Sequence, residues 1–277
     1  MNYGFLPEPT QKDHWIVGSK KATKRFGAPE LMPEGHGWKE HLPKKELQRR
    51  GSLETMACTV FGSANCWETL AKFYGYKDFP RDLAERYNAI LSEITPEGGM
   101  PHKTCETFRQ FGALPEEVLP FSEDIRTWDY FYAPQPMTEE LKTLGKELAR
   151  KFVFGHEWVF NGQGTLAQKQ QKLKEALSRG TVAVSVHAWK NDGKYYIKTK
   201  DDNHWVQLVD YVEREYWLIF DHYNPVMKKV AWDTDFYCAK LHFLRRREEV
   251  ETEIEKIQRK VISLLISWRN QLISLIK

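Results

Sequence analysis

Apolar residues recur at three- and four-residue steps through Ala57, Val60, Phe61, Ala64, Trp67 and Ala71. This spacing predicts a helix, with Thr55 as its N-cap and Cys58 in its first turn. A second stripe, Leu83, Tyr87, Ile90, Leu91 and Ile94, predicts a core helix over 81–94. Residues 113–163 are punctuated by Pro115, Pro120, Pro134 and Pro136 and read as a loop-rich passage with one helix near 139–152. Another helix is expected over 168–177, ended by Arg179-Gly180. The pattern then changes to alternation. Thr181–Val186 reads as a strand, and 202–211 and 215–225 read as two antiparallel strands joined by a short polar connection at 212–214.

Two segments fall outside this body. Residues 1–37 are rich in Pro, Gly and Lys and read as an extended arm laid over residues 38–244. Residues 245–277 open with Arg245-Arg246-Arg247 and then repeat apolar positions at Ile254, Ile257, Val261, Leu264, Leu265, Trp268, Leu272 and Ile276. That is the pattern of a long amphipathic helix whose wide apolar stripe needs cover. Self-association or a partner helix across 250–277 is the leading expectation, ahead of packing on the body or lying on a membrane surface.

The 277 residues, 41% of them hydrophobic, suffice for a sizeable core. A net charge of +3, with 41 Lys and Arg against 38 Asp and Glu, argues against a nucleic-acid partner. Four cysteines without a Cys-x-x-Cys pair form neither a disulfide framework nor a zinc motif, so a reducing compartment is expected. There is no run of eighteen apolar residues to span a bilayer and no recognisable signal peptide, and a cytoplasmic or virion-associated location is expected.

The candidate chemistry is nucleophilic. Unpaired N–H groups and the helix dipole at a first turn favour a thiolate, which makes Cys58 the candidate nucleophile. The commoner fate of a cysteine is a small buried apolar residue, and that holds for Cys66 and Cys105 as well. His204 opens one predicted strand and Asp221 closes the next. An antiparallel pair joined by a short turn brings those two ends to one sheet edge, where a base and the group that orients it can meet.

These stretches resemble the papain-like cysteine peptidases. Cys58, Phe61, Ala64 and Glu68 fall in step with that family's nucleophile helix, which opens Cys-Trp-Ala-Phe-Ser-Ala and carries an acidic residue ten positions on. Cys66 also has a following Trp, but would put the rest of the helix out of step. Trp38 to Gln48 is similar to the family's approach segment, and Gly98-Gly99-Met100-Pro101 to its Gly-Gly-x-Pro turn.

The resemblance implies an α+β, two-lobed papain-like fold. It also implies a peptidase acting through a thioester acyl-enzyme, with Cys58 as nucleophile, His204 as base and Asp221, in place of the family's Asn, as orienter. Asn224 is a second candidate orienter. Gln48 would help hold the oxyanion, although Ser52 stands at the family's usual Gln position, so 49–54 must loop out. Gly98 and Gly99 would pair with an extended substrate backbone. No metal or organic cofactor is implied. The family's shielding Trp has no counterpart, Tyr223 being the nearest aromatic. In layout the chain is most similar to phage and bacterial papain-type proteins without a long helical propeptide. Two alternatives stand beside this reading: a cell-wall peptide amidase, and a catalytically inactive papain-fold structural or binding component.

Overall fold

In the computed structural model, residues 3–19, 37–133 and 137–250 are described, together with residues 258, 261, 262, 265, 266 and 268. Helix α1, Cys58–Tyr74, is the element the others pack around, and every residue from Cys58 to Ala71 is buried. Trp67 anchors it, with ring centroids of Phe108, His242 and Phe154 at 4.6, 4.9 and 5.4 Å. Gly62 lets a strand come close, since a Cβ there would lie 2.9 Å from the Trp205 ring. Gly75, in the left-handed region at φ 66°, closes the helix.

Among the described residues up to Arg246, five further helices follow: α2, Glu85–Leu91; α3, Pro101–Phe111; α4, Trp128–Phe131; α5, Glu139–Lys151; and α6, Leu166–Leu177, of which α2 and α3 pack on α1. Strands β1 (Arg49–Arg50) and β2 (Leu53–Glu54) form a small hairpin. The main sheet comprises β3 (Phe152–Asn161), β4 (Thr181–Val186), β5 (Lys190–Asn191), β6 (Tyr196–Ile197), β7 (His204–Val212), β8 (Tyr216–Phe220), β9 (Met227–Ala231) and β10 (Cys238–Arg246). Its order is β3-β10-β4-β7-β8-β9-β6-β5, and only the β6–β9 pair is parallel. The mix of helices and one largely antiparallel sheet is the expected α+β class.

The structure departs from the sequence reading in several places, and the short elements β1, β2, α4, β5, β6 and β9 have no counterpart in that reading. Strand β3 runs through a stretch read as loop and the end of a helix, and β10 was not anticipated. Both are buried on nearly all positions, so neither shows the alternation that marks a half-exposed strand. Strand β10 also continues to Arg246, past the composition change after Leu244. Helix α2 is shorter than its apolar stripe, because Leu83 and Ile94 are buried from the flanking loops. Finally, Thr55 is not the N-cap of α1. Ala57 holds that position, and Thr55 Oγ1 instead donates to the Gln48 carbonyl at 3.0 Å.

The seam expected over 250–277 lies mostly outside the described residues. Those described, Val261, Ile262, Leu265, Ile266 and Trp268, are helical and exposed. Among the described residues, no helix is long and apolar enough to cross a membrane.

Candidate active site

Cys58 is the first residue of α1, His204 the first of β7, and Asp221 directly follows β8. The β7–β8 register opposes Gln207 to Phe220, so the start of one strand meets the end of the other. There His204 Nε2 lies 2.7 Å from Asp221 Oδ1, with both side chains fully buried. A neutral imidazole that donates from Nε2 leaves Nδ1 as an acceptor. His204 Nδ1 is buried and has no hydrogen-bond partner among the described residues. Cys58 Sγ accepts from the backbone N–H of Trp205, the residue after His204, so the thiol lies at the head of the same strand.

The charges around this pair are unusual. Burial pushes the Cys58 thiol well above its ordinary range, and Glu54 and Asp221 add to that, while the Trp205 N–H opposes it. In this closed arrangement Cys58 is a neutral thiol. Burial would also raise the Asp221 carboxyl, but His204 and Lys228 beside it hold it well below the usual carboxylate range, and the His222 backbone N–H donates to its Oδ1 at 2.8 Å. Lys228 Nζ donates to Asp221 Oδ2 at 2.5 Å and to the carbonyls of Tyr223 and Pro225 at 2.7 and 2.5 Å. His222 is kept neutral by burial and lies 4.6 Å, ring to ring, from His204. Donor atoms of His204, Asp221 and His222 come within 4.8 Å of one another. Because the carboxylate is already bonded to His204 and Lys228, we read this group as a hydrogen-bonded cluster and not as a ligand set.

Gln48 is fully buried beside these residues. The β1–β2 hairpin turns at Gly51, φ 58°, and takes residues 49–54 out of line, so Gln48 comes in despite its distance from Cys58 in sequence. Its Nε2 donates to Glu54 Oε1 at 2.5 Å and to the Tyr3 carbonyl at 3.1 Å. Glu54 also accepts from the Met56 N–H at 3.2 Å and from the Tyr223 hydroxyl.

The cleft is filled by the chain's own arm. Gly99 N–H donates to the Gly4 carbonyl at 2.8 Å, Leu6 N–H donates to the Gly99 carbonyl at 3.0 Å, and Tyr3 N–H reaches the Asn203 carbonyl at 3.2 Å. These bonds make Phe5 a parallel bridge partner of Gly99. The Gly-Gly turn is needed for this approach. A Cβ on Gly98 would lie 2.2 Å from the Gly4 carbonyl oxygen, and one on Gly99 would lie 2.2 Å from Ile94 Cδ1. The Tyr3 ring covers His204 at 5.5 Å.

Other sequence candidates lie elsewhere. Cys66 is buried within α1, where its carbonyl accepts from Thr181 Oγ1 at 3.0 Å and burial pushes its thiol well up. Cys105 packs against Ser63 and His242, its thiol pushed up to about 12. Asn224 is exposed.

Five residues near the site escaped the sequence reading: Tyr3, Glu54, Trp189, His222 and Lys228. Trp189 supplies the aromatic wall for which that reading found no counterpart, standing at 88° to His204 with centroids 5.7 Å apart. It comes from the β4–β5 connection and so has no positional signal. Lys228 had one. It lies two residues before Val230 on the buried face of β9, where a cation must have a partner.

The fold that holds this site is that of the papain-like cysteine proteases. The chain is 13% identical in sequence to xylellain, a cysteine protease from Xylella fastidiosa, with a TM-score of 0.55 and 88% of this chain and 95% of that one covered. It is 14% identical to digestive procathepsin L2 of Tenebrio molitor larval midgut, TM-score 0.54, covering 87% and 78%. To bromelain from Ananas comosus, solved in complex with the E64 inhibitor, it is 14% identical, TM-score 0.51, covering 77% and 100%. No protein-family model matches the chain, and neither does any curated protein. At these identities the likeness establishes the fold.

Proposed function

We propose that the chain is a cysteine peptidase whose cleft is closed by its own N-terminal arm. The observation that carries this reading is the buried His204–Asp221 bond at 2.7 Å, which leaves Nδ1 unpartnered among the described residues on a strand whose next N–H meets Cys58 Sγ. In the reaction, His204 Nδ1 takes the Cys58 proton and the thiolate attacks a peptide carbonyl carbon. Gln48 Nε2 donates to the resulting oxyanion. His204 returns the proton to the leaving amine, and water then attacks the thioester with His204 as base, restoring the thiol. Asp221 holds the imidazole throughout.

The arm supports this assignment from the other side. Its backbone pairs with Gly99 and its Tyr3 carbonyl takes the Gln48 amide, as an extended peptide with a carbonyl at the reaction centre would. Burial under the arm accounts for the neutral thiol, so the closed form is latent. An unfolded protein substrate tests the reading. A variant with a loosened arm is expected to hydrolyse it, and adding Cys58→Ala is expected to abolish the hydrolysis. Hydrolysis that survives Cys58→Ala overturns the assignment.

A further inference from the structure

We infer that Lys228 is a positioning residue that acts through Asp221, cancelling the carboxylate's charge so that the His204 imidazolium remains acidic enough to protonate a leaving group. The inference rests on the peptidase reading of Cys58 and His204. Its geometry is a closed chain of contacts: His204 Nε2 to Asp221 Oδ1 at 2.7 Å, and Asp221 Oδ2 to Lys228 Nζ at 2.5 Å. The ammonium's other two protons go to the Tyr223 and Pro225 carbonyls, so all three donors are used and the charge is fixed in place. The lysine side chain is 1% exposed and lies beneath the rings of Trp189 and Tyr196, at 4.9 and 5.8 Å.

The need for such a cation follows from Asp221 itself. A lone buried carboxylate stabilises an imidazolium strongly, which helps form the thiolate–imidazolium pair but makes the imidazolium a poorer acid in the next step. Lys228 takes the oxygen that His204 does not use. The pair then offers His204 a hydrogen-bond acceptor with little net charge, much as a neutral amide would. The other groups facing His204 do not supply this compensation. His222 is neutral, Tyr223 and Tyr3 contribute rings, Cys58 is the reaction partner, and Glu54 adds a further negative charge through Tyr223 and toward Cys58.

The test is the rate of carboxymethylation of Cys58 by iodoacetate, followed against pH in the full chain carrying Gly4→Val, which displaces the arm because a Cβ at Gly4 would lie 2.2 Å from the Met56 carbonyl oxygen. This anionic reagent needs the thiolate and is drawn by the imidazolium, so its rate falls on the alkaline side where the imidazolium loses its proton. No hydrolysis is required, and because Gly4→Val releases the arm in every protein compared, its opening does not limit the rate. Lys228→Met is expected to move the alkaline limb up by about one pH unit, a charge effect at this range in a partly screened interior. Asp221→Asn, which leaves Lys228 uncompensated, is expected to move it down. The double variant is expected to return it close to its place in Gly4→Val alone.

A merely structural role for Lys228 would change the rate without moving the limb. If Cys58 is labelled selectively and the limb stays put in all variants, the inference is overturned while the peptidase reading stands. If the arm-released Gly4→Val chain shows neither selective labelling nor an alkaline limb, the reading fails and the inference with it. Should Lys228→Met not fold, the opposite shift in Asp221→Asn and its reversal in the double variant decide the matter.

Discussion

The carbonyl oxygen of Tyr3 accepts a hydrogen bond from Gln48 Nε2 at 3.1 Å, in the place where the proposed reaction would develop an oxyanion. The arm is therefore built into the site. Gly4 makes the fit, at φ +103° and with room for no side chain, since a Cβ would lie 2.2 Å from the Met56 carbonyl oxygen. Gly4→Val is expected to expel residues 3–6 and leave the body folded. Amide hydrogen exchange over those residues should rise to the rate of an open segment, with hydrolysis rising alongside it. Unchanged exchange contradicts the account of the arm.

Acid should loosen the same arm. Further along it, the His14 ring stacks on His102 at 3.7 Å, the Trp15 ring meets His156 edge-on at 5.2 Å, and Glu8 accepts from the His102 N–H at 2.5 Å. Burial, helped by the Lys240 charge, lowers His102 to about 2 and His156 to about 3. A ring that arm release opens to water loses part of the burial that depresses it, so its value rises and it takes up a proton that the closed form refuses, while Lys240 stays beside it. Closure is thus favoured above about pH 6.5 and weakens as pH falls below it. Glu8, raised by burial, binds its proton better when closed and opposes this, but it is one group against two. Exchange protection of the arm should be lower at pH 5 than at pH 7.5, and equal or greater protection at pH 5 would refute the latch.

Gln48→Ala separates binding from catalysis. Loss of one oxyanion donor is expected to slow hydrolysis by about 10²–10³. Alkylation of Cys58 forms no oxyanion and should change far less. Equal losses in both would mean that Gln48 only supports the fold.

Packing around α1 gives a stability prediction. Trp67 is fully buried against Phe108, Phe154 and His242. Trp67→Ala is expected to lower unfolding free energy by about 3–5 kcal/mol, read from urea denaturation. A loss below about 1 kcal/mol would contradict its place at the centre of the core.

Much of the frame was legible because periodic patterns separate apolar faces from polar ones, which meet water or, in α1, buried from Cys58 to Ala71, bond other residues through Thr59, Ser63, Glu68 and Thr69. The α1 stripe and the strands carrying His204 and Asp221 emerged from such patterns. Strands β3 and β10 did not, since burial on both sides removes the alternation. The site was legible where a residue sits at an element's end. Cys58, His204 and Asp221 do so. Trp189 reaches the site through tertiary packing and Tyr3 through an arm with no regular pattern, so local spacing had nothing to report for them, whereas Lys228 carried a signal as a cation on the buried face of β9. Thr55 misled because a hydroxyl at a helix start suggests a cap, yet here it bonds the Gln48 carbonyl.

The most direct test of the Cys58–His204 pair is alkylation by neutral iodoacetamide at pH 7 in the arm-released Gly4→Val protein, with each cysteine followed by peptide mass. Cys58 is predicted to react about tenfold or more faster than Cys66, Cys105 and Cys238, and to fall to their rate when His204→Ala is added. Slow labelling spread over all four cysteines, indifferent to His204, would contradict the account and favour a papain-fold component without catalysis.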